Sequence, residues 1–533
     1  MKRFIYILLL TISILGMATN EAFACSKVNV RRGDDYVKVF AQKNKKYIIK
    51  EDIDLGGRKV VIGTKSSLVF QGGSLKNGVV IGNNTRIKET KENVFHDCRI
   101  DGTWNLDYSY SSMFDADMEA ILLFKNLSTL SPNLRLFANR DYRINKKGEE
   151  IVIRSIEAAT KEKPKIEFHT TNPNIAGLML IGENILLKNL IISEDYDIKN
   201  DIIYGKNNPL IGNTLAVFSK SKIVQSLIIE GCEFSGGTSS SYVASSQTRN
   251  CIVNNCVFSG FLADHAVYCS MTIENFVIEH CKIKDVPHTK GLFKIRTSKN
   301  LKYFGLKNID AHNLNGYMAI ASLVKTPLAI LEFDNIKATK EQNNSSLFYG
   351  FCVTDETKLA GENEYNANSI VFNNCSFVYG YNGNSLISSG AGLPVKVREI
   401  GFSHTSSIGT NFGGGYTDAL KVYDCFFEDF CNEKGISIAA RSLVIEKTIL
   451  KRIQAKKSNC VFLINYKEDN VKSISLNRVT IDAEANSVFN ISEGNNIDLT
   501  VNNCSMRQIE SSIVTAPARC NVHYKSKNYK IIP

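Results

Sequence analysis

Tryptophan and proline are scarce in this 533-residue sequence, which has one Trp and 9 Pro. So little proline argues against a proline-rich linker. Beyond residue 17 no apolar run is long enough to span a bilayer, which takes ~20 residues. There is no CxxC pair and no Cys/His cluster with zinc-ligand spacing, although the chain carries 14 Cys and 8 His. Neither a metal nor another cofactor is therefore expected. No block of one charge stands out either. The 64 Lys and Arg outnumber the 53 Asp and Glu to give +11, but the cations are scattered. A nucleic-acid binder needs a clustered basic stripe or a binding motif, and with neither present nucleic acid is not an expected partner. What remains, 44% hydrophobic and 22% charged residues, is ordinary globular composition with ample length for a core.

The N-terminus reads "MKRFIYILLLTISILGMATNEAFAC". Lys2 and Arg3 precede an apolar stretch at 4–17 and a small-x-small end, Ala22-Phe23-Ala24. This is the pattern of a secretory signal peptide over 1–24. It predicts export to the periplasm, the outer-membrane surface or the extracellular space. Cys25 directly follows the cleavage site, so "AFAC" also resembles a lipoprotein box, with Ala22 where Leu is usual. A lipid anchor at Cys25 is thus an alternative to a freely soluble mature chain. Losing Lys2 and Arg3 leaves +9 (11 minus 2), a mildly basic balance that suits an acidic polymer.

The cysteines recur singly inside similar strings. "IIEGCEF", "IVNNCVF", "VIEHCKI", "IVFNNCSF", "KVYDCFF" and "LTVNNCSM" share apolar residues, two mostly polar residues, Cys, any residue and an apolar residue. "GLKNIDA", "FDNIKA", "VIEKTIL" and "LNRVTI" are weaker copies. The column runs Cys232, Cys256, Cys281, Ile309, Ile336, Cys375, Cys425, Thr448, Val479 and Cys504, at intervals of 24, 25, 28, 27, 39, 50, 23, 31 and 25. Ten residues after it a small residue is usual, as at Ala266, Gly291 and Ala319, followed by a short apolar stretch. One such unit cannot bury its inward face, but stacked units can, each pairing its backbone with the next at ~4.8 Å. The column cysteines then act as small buried hydrophobes, with disulfides between coils as the alternative. The intervals of 39 and 50 must hold loops or an extra coil; "GENEYNANS" and "GTNFGGGYTD" are candidate excursions.

Residues 46–104 read as short strands separated by Gly-Gly, Asn-Gly and Asn-Asn turns. "DADMEAILLFKNL" at 115–127 is the best helix candidate, with acidic residues in its first turn. The expected organisation is an N-terminal β-rich capping region at 25–145 and coil repeats over 146–533.

This layout resembles the right-handed parallel β-helix proteins of the pectate-lyase-like superfamily over essentially residues 46–520. "LVFQGGSLKNGVVIGNNTRI" particularly resembles the opening of secreted β-helix proteins from gut-type Gram-negative bacteria. The resemblance implies an all-β fold, a right-handed parallel β-helix solenoid with an N-terminal capping region. It also implies a secreted protein that cleaves or binds polysaccharide, often acidic. Adhesins and phage tailspikes share the fold, so fold alone does not settle function.

The repeat register locates candidate chemistry. Eight and nine residues after the column lie Ser240–Ser241, Asp264–His265, Thr289–Lys290 and Tyr317–Met318, expected as an exposed polar strip. Asp264 and His265 stand one coil from His288, Thr289 and Lys290, with Lys294 and Arg296 on the following strand. An eliminating polysaccharide lyase needs a base, for which His265 or Lys290 is the candidate. It also needs a cation on the uronate carboxylate: Lys290, Lys294 or Arg296, with Arg best as a fork. His288, Lys294 and Tyr317 are the candidate substrate contacts, with Tyr317 suited to stacking on a sugar ring. The paired carboxylates of a hydrolase, about 5–9.5 Å apart, are not apparent. A glycan-binding surface protein, or a stalk with no ligand, needs no catalytic cluster.

Overall fold

The computed structural model describes residues 26–145, 148–169, 176–195, 213–221, 223–238, 240–262, 264–287, 289–296, 299–339, 349–355, 365–378, 384–388, 393–412, 416–429, 436–454, 460–464, 473–491, 496–516 and 520–532. The expected signal segment, Cys25 and His288 lie outside them. Two units emerge, Met1–Met118 with Lys125–Ser131, and Glu119–Phe124 with Pro132–Pro533.

The first unit stacks parallel strands. Ser26–Val30 pairs with Lys45–Ile49, which pairs with Ser67–Phe70, and Leu75–Ile87 pairs with Phe95–Asn105. Alternation puts Ile49, Leu68, Val80 and Ile100 inside. Asn77 and Asn84 turn the chain at φ 52° and 53°, the left-handed region Asn tolerates better than most residues. The helix candidate forms later than its acidic residues predict, over Ala120–Leu130, with no acidic residue in its first turn. Asp115 is occupied elsewhere. It meets the His96 ring nitrogen at 2.6 Å and accepts from the Asp97 N–H at 2.7 Å and Asn93 Nδ2 at 3.1 Å. Ala120, Leu123, Phe124, Leu127 and Leu130 recur at helical spacing and are buried.

In the second unit successive coils pair in parallel. Val224–Glu230 pairs with Thr248–Asn254, then Asn275–Glu279, then Tyr303–Leu314. This is a parallel β-helix, and the cysteine column marks its corner. The residue before the column is left-handed in coil after coil: Gly231, Asn255, His280, Asn308, Asn335, Asn374, His404, Asp424, Lys447, Arg478 and Asn503. The column side chain then points inward, where a thiol or hydroxyl can reach the carbonyl two residues back. Cys256 Sγ donates to Asn254 O at 3.2 Å, Cys375 Sγ to Asn373 O at 3.2 Å, and Thr448 Oγ1 to Glu446 O at 2.9 Å. Cys and Thr are small enough to stack there and carry the donor, and Ile309, Ile336 and Val479 fill the same column without one.

The eleven described cysteines whose side chains are placed are free, and all but Cys520 are buried. The buried-ladder expectation therefore holds for Cys232, Cys256, Cys281, Cys375, Cys425 and Cys504. Two residues on, Phe234 and Phe258 stack with centroids 5.0 Å apart. The 50-residue interval holds an extra coil. Its column residue is Thr405, and Lys396–Ser403 pairs with Ala367–Asn373 on one side and Tyr416–Tyr423 on the other. The repeat is hidden in the sequence because "FSHTSSI" lacks both the Cys and the apolar residue two positions on, where Ser407 stands. The 39-residue interval holds none: Ile330–Thr339 pairs directly with Ala367–Asn373.

Candidate functional site

The candidate residues lie on a second sheet of the same unit, made by the strands that follow the corner. Four of them matter: β1 (Ser241–Ser245), β2 (His265–Ser270), β3 (Gly291–Arg296) and β4 (Tyr317–Leu323). They pair in parallel in that order. Val243, Val267, Phe293 and Ala319 share one register step and are all buried. Cys269, Ile295 and Ala321 share another and are also buried. Because side chains alternate across a strand, Tyr268, Lys294 and Ile320 form a step on the opposite face, and Ser270, Arg296 and Ser322 the next.

At the strand entries the expected register holds between β1 and β2 and shifts by one residue on passing to β3 and β4. Ser241 pairs with His265, and Gly291 with Tyr317. The corner after Cys281 is one residue longer than that after Cys256, so Lys290, not Thr289, stands beside Asp264. Lys290 N–H donates to Asp264 O at 3.1 Å, and the Lys290 ammonium ion-pairs with the Asp264 carboxylate. Thr289 is buried instead, its hydroxyl donating to Asp264 O at 2.8 Å. Ser240 Oγ adds a 3.4 Å hydrogen bond to Asp264 Oδ2.

His265 is not a step on an exposed strip. It is 5% exposed, with Nδ1 2.6 Å from Gly291 O. A carbonyl can only accept, so Nδ1 carries the proton. Burial, and then the nearby Lys294 charge, push the His265 pKa down to about 4. The ring is neutral at pH 7. A general base works best with a pKa near the working pH and within reach of the substrate proton. His265 meets neither condition in this setting.

The outward groups are better placed. Lys294 Nζ lies 5.5 Å from the Tyr268 ring centroid, a cation–π contact. Arg296, two residues on, is exposed. Ala244, Ser270 and Ser322 flank these groups in register and are small and buried. Tyr317 is half-buried at the entry of β4. The structure thus joins Asp264 to Lys290, and sets Lys294 beside Arg296 on one face, while His265 is drawn inward. Tyr268 was missed as a candidate. Counting by twos from the apolar Val267 would have placed it outside with Lys294. Among the described residues no group of three or more His, Cys, Asp or Glu is arranged to hold a metal ion, and no helix is long and apolar enough to cross a membrane.

No family profile matches this chain, and no curated protein matches its sequence. Among solved structures the chain is similar to the catalytic domain of a GH87 alpha-1,3-glucanase in complex with nigerose. The identity is 10% and the TM-score 0.37, over 80% of this chain and 68% of that one. It is also similar to the PL6 family alginate lyase AlyGC, at 8% identity and TM-score 0.19, over 95% of this chain and 100% of that one. Likenesses at these scores carry no weight in assigning the site.

Proposed function

We propose that this is an exported protein that binds an acidic polysaccharide along the outward face of β1–β4. The observation that carries the reading is the Tyr268–Lys294 pair, centroid to Nζ 5.5 Å, with Arg296 on the neighbouring register step. A tyrosine ring offers an apolar face to a sugar ring. The two cations meet carboxylates or sulfates spaced along the polymer, and the Arg fork suits a planar carboxylate. Lys290 borders the face, whereas Tyr317 stands on the register step of His265 and Gly291 and is not part of it. Eliminative cleavage would need a base beside the carboxylate-binding cation, and the geometry of His265 argues for binding without cleavage.

Affinity gel electrophoresis against polygalacturonate, alginate, a sulfated glycan and a neutral glucan tests this. The acidic gels should retard the protein, less so as salt rises. Equal retardation by the neutral glucan, or none by any gel, would overturn the reading. Release of unsaturated uronate products from any of these polymers would convert the assignment to a lyase.

A further inference from the structure

Further along the same unit, three coils bring Tyr365, Arg398 and Asp418 together on the sheet that carries the cysteine column. The register sets Val397 beside Thr417 and Glu399 beside Ala419, so Arg398 and Asp418 are neighbours. The next pairing places Arg441 beside Asp418 in the same way. Arg398 Cζ stands 4.6 Å from the Tyr365 ring centroid, and Lys396 Nζ stands 5.6 Å from it. The Tyr365 hydroxyl donates to Asp418 Oδ2. Asp418 Oδ1 faces Arg441 Nη1 at 3.7 Å, beyond hydrogen-bond reach.

Two groups here are incomplete. Asp418 Oδ1 is buried and accepts no hydrogen bond among the described residues, and a buried acceptor ordinarily has a donor. Arg398 is exposed, and its guanidinium, lying against the Tyr365 ring, makes no ion pair among the described residues. An arginine stacked on an aromatic ring is held in one plane with its N–H edge turned outward. That edge matches the two oxygens of a carboxylate, or two oxygens of a sulfate ester. We propose that Tyr365, Arg398 and Asp418 form a site for one anionic sugar residue. Its carboxylate or sulfate pairs with the Arg398 fork, which lies against the Tyr365 ring that Asp418 holds through the tyrosine hydroxyl. Lys396 and Arg441 add positive charge around the pair. The site lies on a different sheet from Tyr268, Lys294 and Arg296 and stands independently of the function proposed for that face.

The test uses the full chain carrying Tyr268→Ala and Arg296→Gln, which leaves this second site alone. Glucuronate, glucose 6-sulfate and glucose are titrated and followed by saturation-transfer NMR, with circular dichroism checking that each variant is folded. Glucuronate, glucose 6-sulfate or both should bind, glucose should not, and adding Arg398→Ala should weaken binding by at least about tenfold. Which anion binds separates a uronate from a sulfated sugar. Failure of both anions to bind, or equal binding after Arg398→Ala, would overturn the proposal. Arg398-dependent glucuronate binding in a protein that no acidic gel retards would overturn only the reading of the β1–β4 face.

Discussion

His265 is tied to Gly291 one coil away: its Nδ1–H points at the Gly291 carbonyl oxygen over 2.6 Å. The bond fixes which ring nitrogen carries the proton, while burial and the Lys294 charge keep the ring neutral. Asp264, next in sequence, turns the other way and binds Lys290. Two adjacent residues thus divide between surface charge and interior structure, Asp264 just before β2 and His265 at its first position.

Acid should act on His265. Its folded pKa, about 4, lies below the ordinary 6.5. Between these values the unfolded chain binds a proton that the folded chain does not, so stability is lost as pH falls from about 6.5 to about 4. The full shift corresponds to roughly 3 kcal/mol. Urea midpoints at pH 7 and pH 4.5 should show a smaller acid-induced drop for His265→Asn than for the parent. An unchanged drop would show that His265 is not buried as described.

Gly291 should accept no side chain. A Cβ there would stand 2.5 Å from Ile320 Cγ1, and 3.4 Å from Tyr317 Cβ. Ile320 could yield only by changing rotamer against neighbouring coils. Gly291→Ala should lower stability by about 1–3 kcal/mol, and the double variant Gly291→Ala, Ile320→Ala should recover part of that loss. Thermal unfolding of the pair measures both effects; no recovery would place the clash elsewhere.

Much of the fold is legible in the sequence because the corner imposes a residue type. A left-handed residue followed by a small inward donor selects Asn-Cys, His-Cys or Asp-Cys, and the repeat can be read from those pairs. Thr405 escapes because Ser407 stands two residues after it, where the other copies carry an apolar residue. The site is less legible. Corner length varies by a residue between Cys256 and Cys281, and a shift of one residue exchanges the two faces of a strand. Nothing local marks His265 as inward, since its burial depends on Gly291 of the next coil. Tyr365, Arg398 and Asp418 are brought together only by coils of unequal length.

On the outward face, Tyr268→Ala and Arg296→Gln should each weaken acidic-polysaccharide binding, by about threefold to thirtyfold, as loss of one stacking or charge-assisted contact implies. Lys294→Gln should do the same and also raise the His265 pKa, because the Lys294 charge helps to hold it down. NMR titration of the His265 ring reads the second effect. An unmoved titration would mean that Lys294 does not sit over this part of the strand.

The column thiols should be unreactive in the native protein. Burial holds the Cys98 and Cys375 thiols up at about 12, and Cys232 is raised well above the usual thiol range. A thiol reacts as its thiolate, so alkylation at pH 8 followed by peptide mass mapping should label Cys520, which is half-exposed, before Cys232, Cys256 or Cys281. Denaturation in urea should make all four equivalent. Native labelling of Cys256 at the rate of Cys520 would contradict the buried ladder.

The corner also indicates where the chain is under strain. Arg478 occupies the left-handed position at φ 55°, where Asn255, Asn308, Asn335, Asn374 and Asn503 stand in other coils. A residue with a long side chain costs ~1–2 kcal/mol there, and Asn less, because its short polar side chain bonds locally. Along the same column Asn335 Nδ2 donates to Asn308 Oδ1 at 2.6 Å, and Asn528 Nδ2 to Asn503 Oδ1 at 3.0 Å. Arg478 makes no such step, and its charge repels that of Lys447 one coil back. Arg478→Asn should therefore stabilise this corner by about 1 kcal/mol, whereas Arg478→Gly, which also frees the unfolded chain, should gain less. Native-state hydrogen exchange at the Lys447 and Arg478 amides, which bond Asn477 O and Asn502 O at 2.9 Å each, reads the change locally. Faster exchange in Arg478→Asn would mean that the arginine is held by contacts worth more than the strain it carries.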